Sequence, residues 1–425
     1  MMRRQSLIDQ AIIARNLLQV VLPLHRLRAS ASRPILPETP TRFAIIAGDV
    51  TDPSSSLGDL AMFSALMQSL RAQNPDSTFT IIGKRRHTIV IPGIGETPVV
   101  PAWSGKTGTR AFDELIRQHH ALFVMGADIL DGKYGAALVQ RIAAYCNHSV
   151  ALGIPATMLG FSFNRHPRIP AVHALSRLHP KVTINIRDQP SLERFTRIVG
   201  IPARLCTDSA FLMPPATAPL PEPEAWIAAM RHEGRTPVGI NLSAHALAPA
   251  IAQAGLDRLI DCLAEQFRHA GEQNRLAFML LPHDLKSQSG DVPMLQALKE
   301  ALQQKGFTHV RYTLIDQPDK IKRLTRFLDL VITGRMHLVI ASLGSGTPAL
   351  SITYQDKFEG LYQHFDLSLE HTITPIQCLS DAFLRKINDA FMHRHDNRAR
   401  ILSHLPRVKA LASRNLAIAT CDPAD

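Results

Sequence analysis

From Arg42 onward, short unbroken apolar runs alternate with longer stretches whose apolar positions recur every three or four residues. The short runs, rich in β-branched side chains, read as strands buried on both faces, and the longer stretches as helices that cover them. Strands are predicted near Phe43–Ala47, Thr78–Ile82, Leu122–Met125, Ala156–Leu159, Val182–Ile186 and Ala203–Cys206, with a helix over Asp59–Leu70. The pattern then stops at Pro214, Pro215, Pro219, Pro221 and Pro223, a density that neither a helix nor a central strand tolerates. Strand-like runs resume at Val238–Asn241, Ala277–Leu281, Val310–Leu314, Leu328–Ile332 and Ala349–Thr353, with helices around Ile251–Gln266, Met294–Gln304 and Phe383–Phe391. The expected architecture is α/β: two doubly wound, Rossmann-like domains facing a cleft. They span 42–213 and 236–425, the second ending in C-terminal helices, with a proline-rich linker at 214–235. Ahead of them, residues 1–41 carry Leu7, Ile8, Ile12, Ile13, Leu17, Leu18 and Val21 at helical spacing.

Composition agrees with two globular bodies. A length of 425 residues suits two domains, and 45% hydrophobic with 20% charged residues argues against wholesale disorder. No apolar run approaches the roughly 18 residues of a membrane span. Five scattered cysteines without a CxxC pair indicate neither a disulfide framework nor a cysteine zinc site, and suit a reducing cytoplasm. A net charge of +11 directs attention to anionic partners. Nucleic acid is not expected among them: Lys84-Arg85-Arg86-His87 lacks interleaved aromatics and reads as a solvated turn, and no binding module accompanies the charge. Residues 1–42 hold seven arginines against Asp9 and Glu38, a net +5 of the total. Their helix either packs on the first domain or lies on anionic lipid, and Asp9 and Arg15 interrupt any signal-peptide core.

The chemistry concentrates in Leu328–Lys357, LDLVITGRMHLVIASLGSGTPALSITYQDK. An apolar strand, a turn at Gly334, a short helix over Met336–Leu343 and a second strand after Pro348 make a compact βαβ unit. Arg335 and His337 therefore fall at a helix N-terminus beyond the carboxyl end of a strand, and Lys357 just beyond the next strand. Open α/β sheets bind ligands at that edge, and helix N-termini favour anions. His283-Asp284, after the Ala277–Leu281 run, is a further candidate there.

On these residues the sequence resembles the polysaccharide pyruvyltransferases. The matching pattern is Gly334-Arg335-Met336-His337, Gly346-Thr347-Pro348, Tyr354 and Lys357, preceded in the first half by Gly58-Asp59 with the helix LAMFSALMQSL, Ile186-Arg187-Asp188 with Ser191, and Asp208-Ser209-Ala210-Phe211. It departs at Ser56, where family members commonly have asparagine, and at Gly126-Ala127-Asp128, where they have a run of glycines.

The resemblance implies a fold similar to the B-type glycosyltransferases and transfer of a pyruvyl group from phosphoenolpyruvate to sugar hydroxyls, forming a ketal in cell-surface polysaccharide biosynthesis. The acceptor would be a sugar or lipid-linked oligosaccharide. No cofactor beyond the donor and no metal is implied. Arg187, His337 and Lys357 match the family's donor-binding positions, and Arg335 joins them by placement. Such cations suit a donor carrying a phosphate and a carboxylate. His337 is the candidate general acid, or stabiliser of the departing phosphate, and Asp59 the candidate acceptor-side base or hydroxyl ligand. The enzyme is expected in the cytoplasm, at the inner face of the membrane if its basic N-terminus touches lipid. Plainer readings stand beside these: Asp59 as a helix N-cap, Arg187-Asp188 as a surface ion pair, His337 as a core histidine and Lys357 as a solvated loop residue. Two other functions suit the same architecture: a glycosyltransferase using a nucleotide sugar, and a non-catalytic binding relative in a glycan assembly complex.

Overall fold

A computed structural model describes residues 2–28, 39–54, 56–285, 290–353 and 357–417. These fall into two compact units, one of residues 2–54, 62–212 and 410–417, the other of residues 56–61 and 213–409.

The first unit holds strands β1 (Arg42–Ile46), β2 (Thr78–Gly83), β3 (His87–Ile91), β4 (Gly95–Pro101), β5 (Ala121–Val124), β6 (Ala156–Phe161), β7 (Thr183–Ile186) and β8 (Arg204–Leu205). They form one sheet in the order β3-β4-β2-β1-β5-β6-β7-β8, parallel throughout except for the β3/β4 hairpin. The second unit holds β9 (Thr236–Asn241), β10 (Leu276–Leu280), β11 (Val310–Tyr312), β12 (Leu330–Thr333), β13 (Ala349–Ile352) and β14 (Thr372–Ile373), all parallel, in the order β11-β10-β9-β12-β13-β14. Each sheet reverses its winding beside its first strand, which is the doubly wound arrangement.

The hydrophobic pattern explains the layers. Every residue of β5, β6, β10, β12 and β13 is buried, as strands covered by helices on both faces require. At the sheet edge β3 alternates buried and open positions instead. Phe112, Phe161, Phe163 and Phe195 anchor the first core, and Phe267, Phe278, Phe307 and Phe383 the second. No described helix is long and apolar enough to cross a membrane.

Several expected boundaries differ. The hairpin of β3 and β4 was not foreseen, and the basic run Lys84–Arg86 forms its exposed approach. Only part of the proline-rich segment is irregular: Pro221 and Pro223 begin a helix, Pro221–His232, where a missing N–H breaks no intrahelical bond. The helix expected over Ile251–Gln266 is two, Ala244–Ala254 and Leu256–Gln273, divided at Gly255 with φ 84°. Residues 410–417, expected with the second half, pack in the first unit: Asn415 Oδ1 accepts the Gly160 amide at 2.7 Å and its Nδ2 donates to the Thr207 carbonyl at 2.9 Å. Conversely, residues 56–61 belong to the second unit, so the Leu57–Gln73 helix starts in one and continues in the other.

Candidate functional site

In the second unit the order β10-β9-β12 places three strand ends side by side, and one buried carboxylate ties them together. Asp291 is fully buried. Its Oδ2 accepts Asn241 Nδ2 from the end of β9 at 2.7 Å, and the amides of His283 and Asp284 beyond β10 at 3.0 Å each. Its Oδ1 accepts Arg335 Nε at 3.0 Å and Nη2 at 2.6 Å. The same guanidinium reaches Asp284 Oδ2 at 3.0 Å. At the end of β12, Thr333 Oγ1 donates to Asn241 Oδ1 and accepts the Arg335 amide, both at 2.9 Å. Arg335 therefore stands at the N-cap of the Met336–Leu343 helix with its charge already compensated by two carboxylates.

His337 follows two residues on, in the first turn of the same helix. The half-buried His337 ring lies against Gly58, in the first turn of the Leu57–Gln73 helix. A methyl group at Gly58 would overlap His337 Nδ1 and stand 2.7 Å from its Cγ and 3.1 Å from its Cβ. Only glycine lets the backbone and the imidazole approach so closely. Ser56 holds this helix start: its Oγ accepts the Gly58 amide at 3.2 Å and its carbonyl the Leu60 amide at 3.1 Å, and it makes a β-bridge with Asp284. Asp59 is half-buried within the first turn, and the capping role weighed for it belongs to Ser56.

His283 is 4% exposed, and neither ring nitrogen has a hydrogen-bond partner. Burial, reinforced by the charges of His337 and Arg335, lowers its pKa to about 3, so the ring is neutral at physiological pH. A buried polar group left unpaired costs on the order of 1–3 kcal/mol, and such groups often mark sites that a ligand or water completes.

Arg187 belongs to the first unit. It is 3% exposed, donating from Nε to Ser162 Oγ at 2.8 Å and from Nη1 to Asp208 Oδ2 at 2.9 Å. Asp188 accepts Ser162 Oγ at 3.0 Å and caps the Gln189–Val199 helix through the Ser191 amide at 2.8 Å. Arg187-Asp188 is thus not a surface pair: both side chains sit in a buried network at the ends of β6 and β7. Lys357 begins the helix Lys357–Gln363 rather than lying in a loop; its side chain and Tyr354 lie outside the described residues.

Of the predicted residues, the second unit brings Arg335, His337 and the Gly58-Asp59 turn together. Asp291 and the role of Gly58 were missed. Asp291 precedes Val292-Pro293 and would read as an N-cap, yet its side chain makes no cap bond and turns to Asn241 and Arg335. Among the described residues, no group of three or more His, Cys, Asp or Glu could hold a metal ion.

A family model described as polysaccharide pyruvyl transferase matches residues 57–356, which include both the Gly58 turn and the Arg335–His337 turn. No curated protein matches the sequence. Among solved structures, the fold is similar to one described as a UDP-N-acetylglucosamine 2-epimerase from Listeria monocytogenes, at 12% identity and TM-score 0.55, covering 89% of this chain and 95% of that one. It is also similar to an α,α-trehalose-phosphate synthase from Burkholderia xenovorans in complex with glucose-6-phosphate, at 11% identity and TM-score 0.53, covering 88% and 98%. Anabaena HepE in complex with UDP-glucose gives 13% identity and TM-score 0.50, covering 89% and 96%. At these identities the likeness is one of fold, that of the B-type glycosyltransferases and epimerases.

Proposed function

Because the chain belongs to the polysaccharide pyruvyl transferase family, we propose that it takes the pyruvyl group from phosphoenolpyruvate and joins it to two hydroxyls of a sugar as a cyclic ketal. The observation that supports this reading most is the meeting, within one unit, of Gly58-Asp59 with Arg335 and His337. Two parts of the family pattern far apart in sequence are thereby packed against each other.

In this reading a proton adds to the terminal carbon of the enol, leaving its C2 electron-poor. A sugar hydroxyl adds to C2 and gives up its proton, and the bond from C2 to the phosphate oxygen breaks with its electron pair going to phosphate. A second hydroxyl then adds to C2, loses its proton and closes the ring. Of the two hydroxyl protons, one balances that spent on carbon and the other leaves with phosphate. Donor and diol give ketal and inorganic phosphate, with no oxidant or reductant. His337 carries the proton, since an imidazole exchanges protons near neutral pH. Arg335, held by Asp291 and Asp284, positions His337 rather than offering a free cation. His283 supplies a neutral hydrogen-bonding group beside it, and Asp59 engages the acceptor. Arg187 and Lys357 are the remaining donor-binding candidates, and the acceptor is a sugar or lipid-linked oligosaccharide assembled in the cytoplasm.

Calorimetric titration of the full chain with phosphoenolpyruvate, with UDP as competitor, tests the reading. The expected result is saturable binding, indifferent to UDP and weakened by His337→Ala, Arg187→Ala and Lys357→Ala. Binding of UDP without binding of phosphoenolpyruvate would replace it with a nucleotide-sugar glycosyltransferase.

A further inference from the structure

The N-terminal arm has two opposed apolar faces, and among the described residues only one of them is covered. The arm runs through the helix Met2–Asn16, a π-helical turn over Leu17–Val21 and the helix Leu22–Arg28. Pro23 accounts for the irregular turn. It has no N–H for the Gln19 carbonyl and its ring crowds that oxygen, so the helix widens there. The Leu22 amide reaches back to the Leu17 carbonyl, while the Gln19 carbonyl accepts Thr109 Oγ1 at 3.5 Å.

Val20 and Leu24, one turn apart, are buried in the same core as Trp103, Phe112 and Ile116. Arg117 Nη2 holds the Leu27 carbonyl at 3.1 Å. Leu17, Leu18, Val21 and Leu22, in and next to the wide turn, are instead open to solvent. These four are exposed by 47%, 37%, 40% and 63% for Leu17, Val21, Leu22 and Leu18 respectively. Exposed Arg15 and Arg26 flank them along the chain. Asp9, the only acid between residues 2 and 28, is 6% exposed and turned onto Arg168 of the first unit at 3.2 Å. The outward face therefore joins large aliphatic side chains to arginines with no exposed acid among them. A water-soluble partner surface would have to match both features at once, whereas an anionic bilayer offers both, with apolar depth beneath a negative headgroup layer.

We propose that this face, centred on Leu17, Leu18, Val21 and Leu22 and flanked by Arg15 and Arg26, docks the enzyme on an anionic lipid surface. Its rigid attachment through Val20 and Leu24 makes the contact a fixed seat for the first unit rather than a loose tether. The inference stands apart from the pyruvyl-transfer reading and does not depend on the donor.

The test is co-sedimentation of the full chain with vesicles of phosphatidylcholine alone and of phosphatidylcholine with phosphatidylglycerol, across a salt series. Each arginine near an anionic surface contributes about fivefold to partitioning. The wild type is expected to sediment with anionic vesicles only, and less as salt rises. Leu18→Glu with Leu22→Glu should reduce that binding by at least about tenfold, and Arg15→Glu with Arg26→Glu comparably. Because all four side chains are exposed, unfolding midpoints should match the wild type, which separates loss of docking from loss of fold. Failure to sediment with anionic vesicles would overturn the proposal, as would equal sedimentation of the leucine variant. So would a solution dimer that the leucine variant disrupts in the absence of any vesicle binding, since the face would then be a contact between two copies.

Discussion

Adding one methyl group at Gly58 isolates the contact on which the proposed site depends. In Gly58→Ala the new carbon would stand 2.7 Å from His337 Cγ and 3.1 Å from its Cβ. Ordinary carbon contacts begin near 3.5 Å, so the ring must withdraw by nearly 1 Å, and because Cβ is crowded as well, rotation about χ1 alone does not relieve it. Overpacking of this kind costs about 1–3 kcal/mol. Against that, alanine is the better helix former by up to about 1 kcal/mol. The two terms separate in a double-mutant cycle. Gly58→Ala alone should destabilise the chain by on the order of 1 kcal/mol, whereas in a His337→Ala background, where the imidazole is gone, the same change should stabilise it. Turnover should fall by roughly a hundredfold in Gly58→Ala, the usual consequence of moving a catalytic group by about 1 Å. Denaturant unfolding of the four proteins and single-substrate kinetics read both effects. A stabilisation by Gly58→Ala of equal size in both backgrounds, with full activity, would refute the packing argument.

Three further perturbations probe the second unit. Lys322 is 2% exposed and donates to the Met213 carbonyl at 2.6 Å, and burial, aided by Lys409, lowers its pKa from 10.5 to about 7. The folded state thus binds fewer protons than the unfolded one between those values, so stability rises with pH across that window, by about 2 kcal/mol from pH 7 to pH 9, and is lost again as pH falls to 7. Lys322→Met removes this pH-dependent contribution, so the stability of wild type relative to the variant should rise by about 2 kcal/mol from pH 7 to pH 9; a pH-independent difference in denaturant unfolding would contradict this. Asp291→Ala takes the buried acceptor from Asn241 Nδ2 and from the His283 and Asp284 amides and leaves Arg335 paired with Asp284; it should cost on the order of 1–3 kcal/mol, measurable as a lowered denaturant midpoint, whereas no loss would show the network to be incidental. His283→Phe removes two unpaired buried nitrogens and should leave stability unchanged or raised while weakening phosphoenolpyruvate binding at least about tenfold; unchanged affinity by calorimetry would remove His283 from the site.

Most of the sheet framework was legible because strands buried on both faces are unbroken apolar runs. ALFV and LAFML could hardly be anything else once helix-length segments flank them. The elements that escaped lie where that rule does not apply. β3 and β4 sit at a sheet edge, where alternation replaces continuous burial and the basic turn before them obscures the strand. Two prolines that read as linker proved to be the first turn of a helix, since local sequence does not say on which side of a helix start a proline falls. The site divides in the same way. Arg335 and His337 were readable because a glycine turn between an apolar strand and a short helix fixes their place at a sheet edge. Asp291 was not, because its partners Asn241 and Arg335 come from other strands and only the order of those strands brings them together. Likewise, nothing near Gly58 in sequence announces that it must accommodate an imidazole from a helix in the later half of the chain.

The central claim is tested most directly by following phosphoenolpyruvate labelled with carbon-13 in its pyruvyl carbons, in reactions of the full chain with glycan intermediates from cells that make the polysaccharide. Mass spectrometry and carbon NMR of the sugar product should show the label as a ketal carbon joined to two sugar oxygens, with one phosphate released per ketal and no product from His337→Ala. Phosphate release with the label recovered as free pyruvate, or label absent from the glycan while a nucleotide sugar is consumed, would contradict the account.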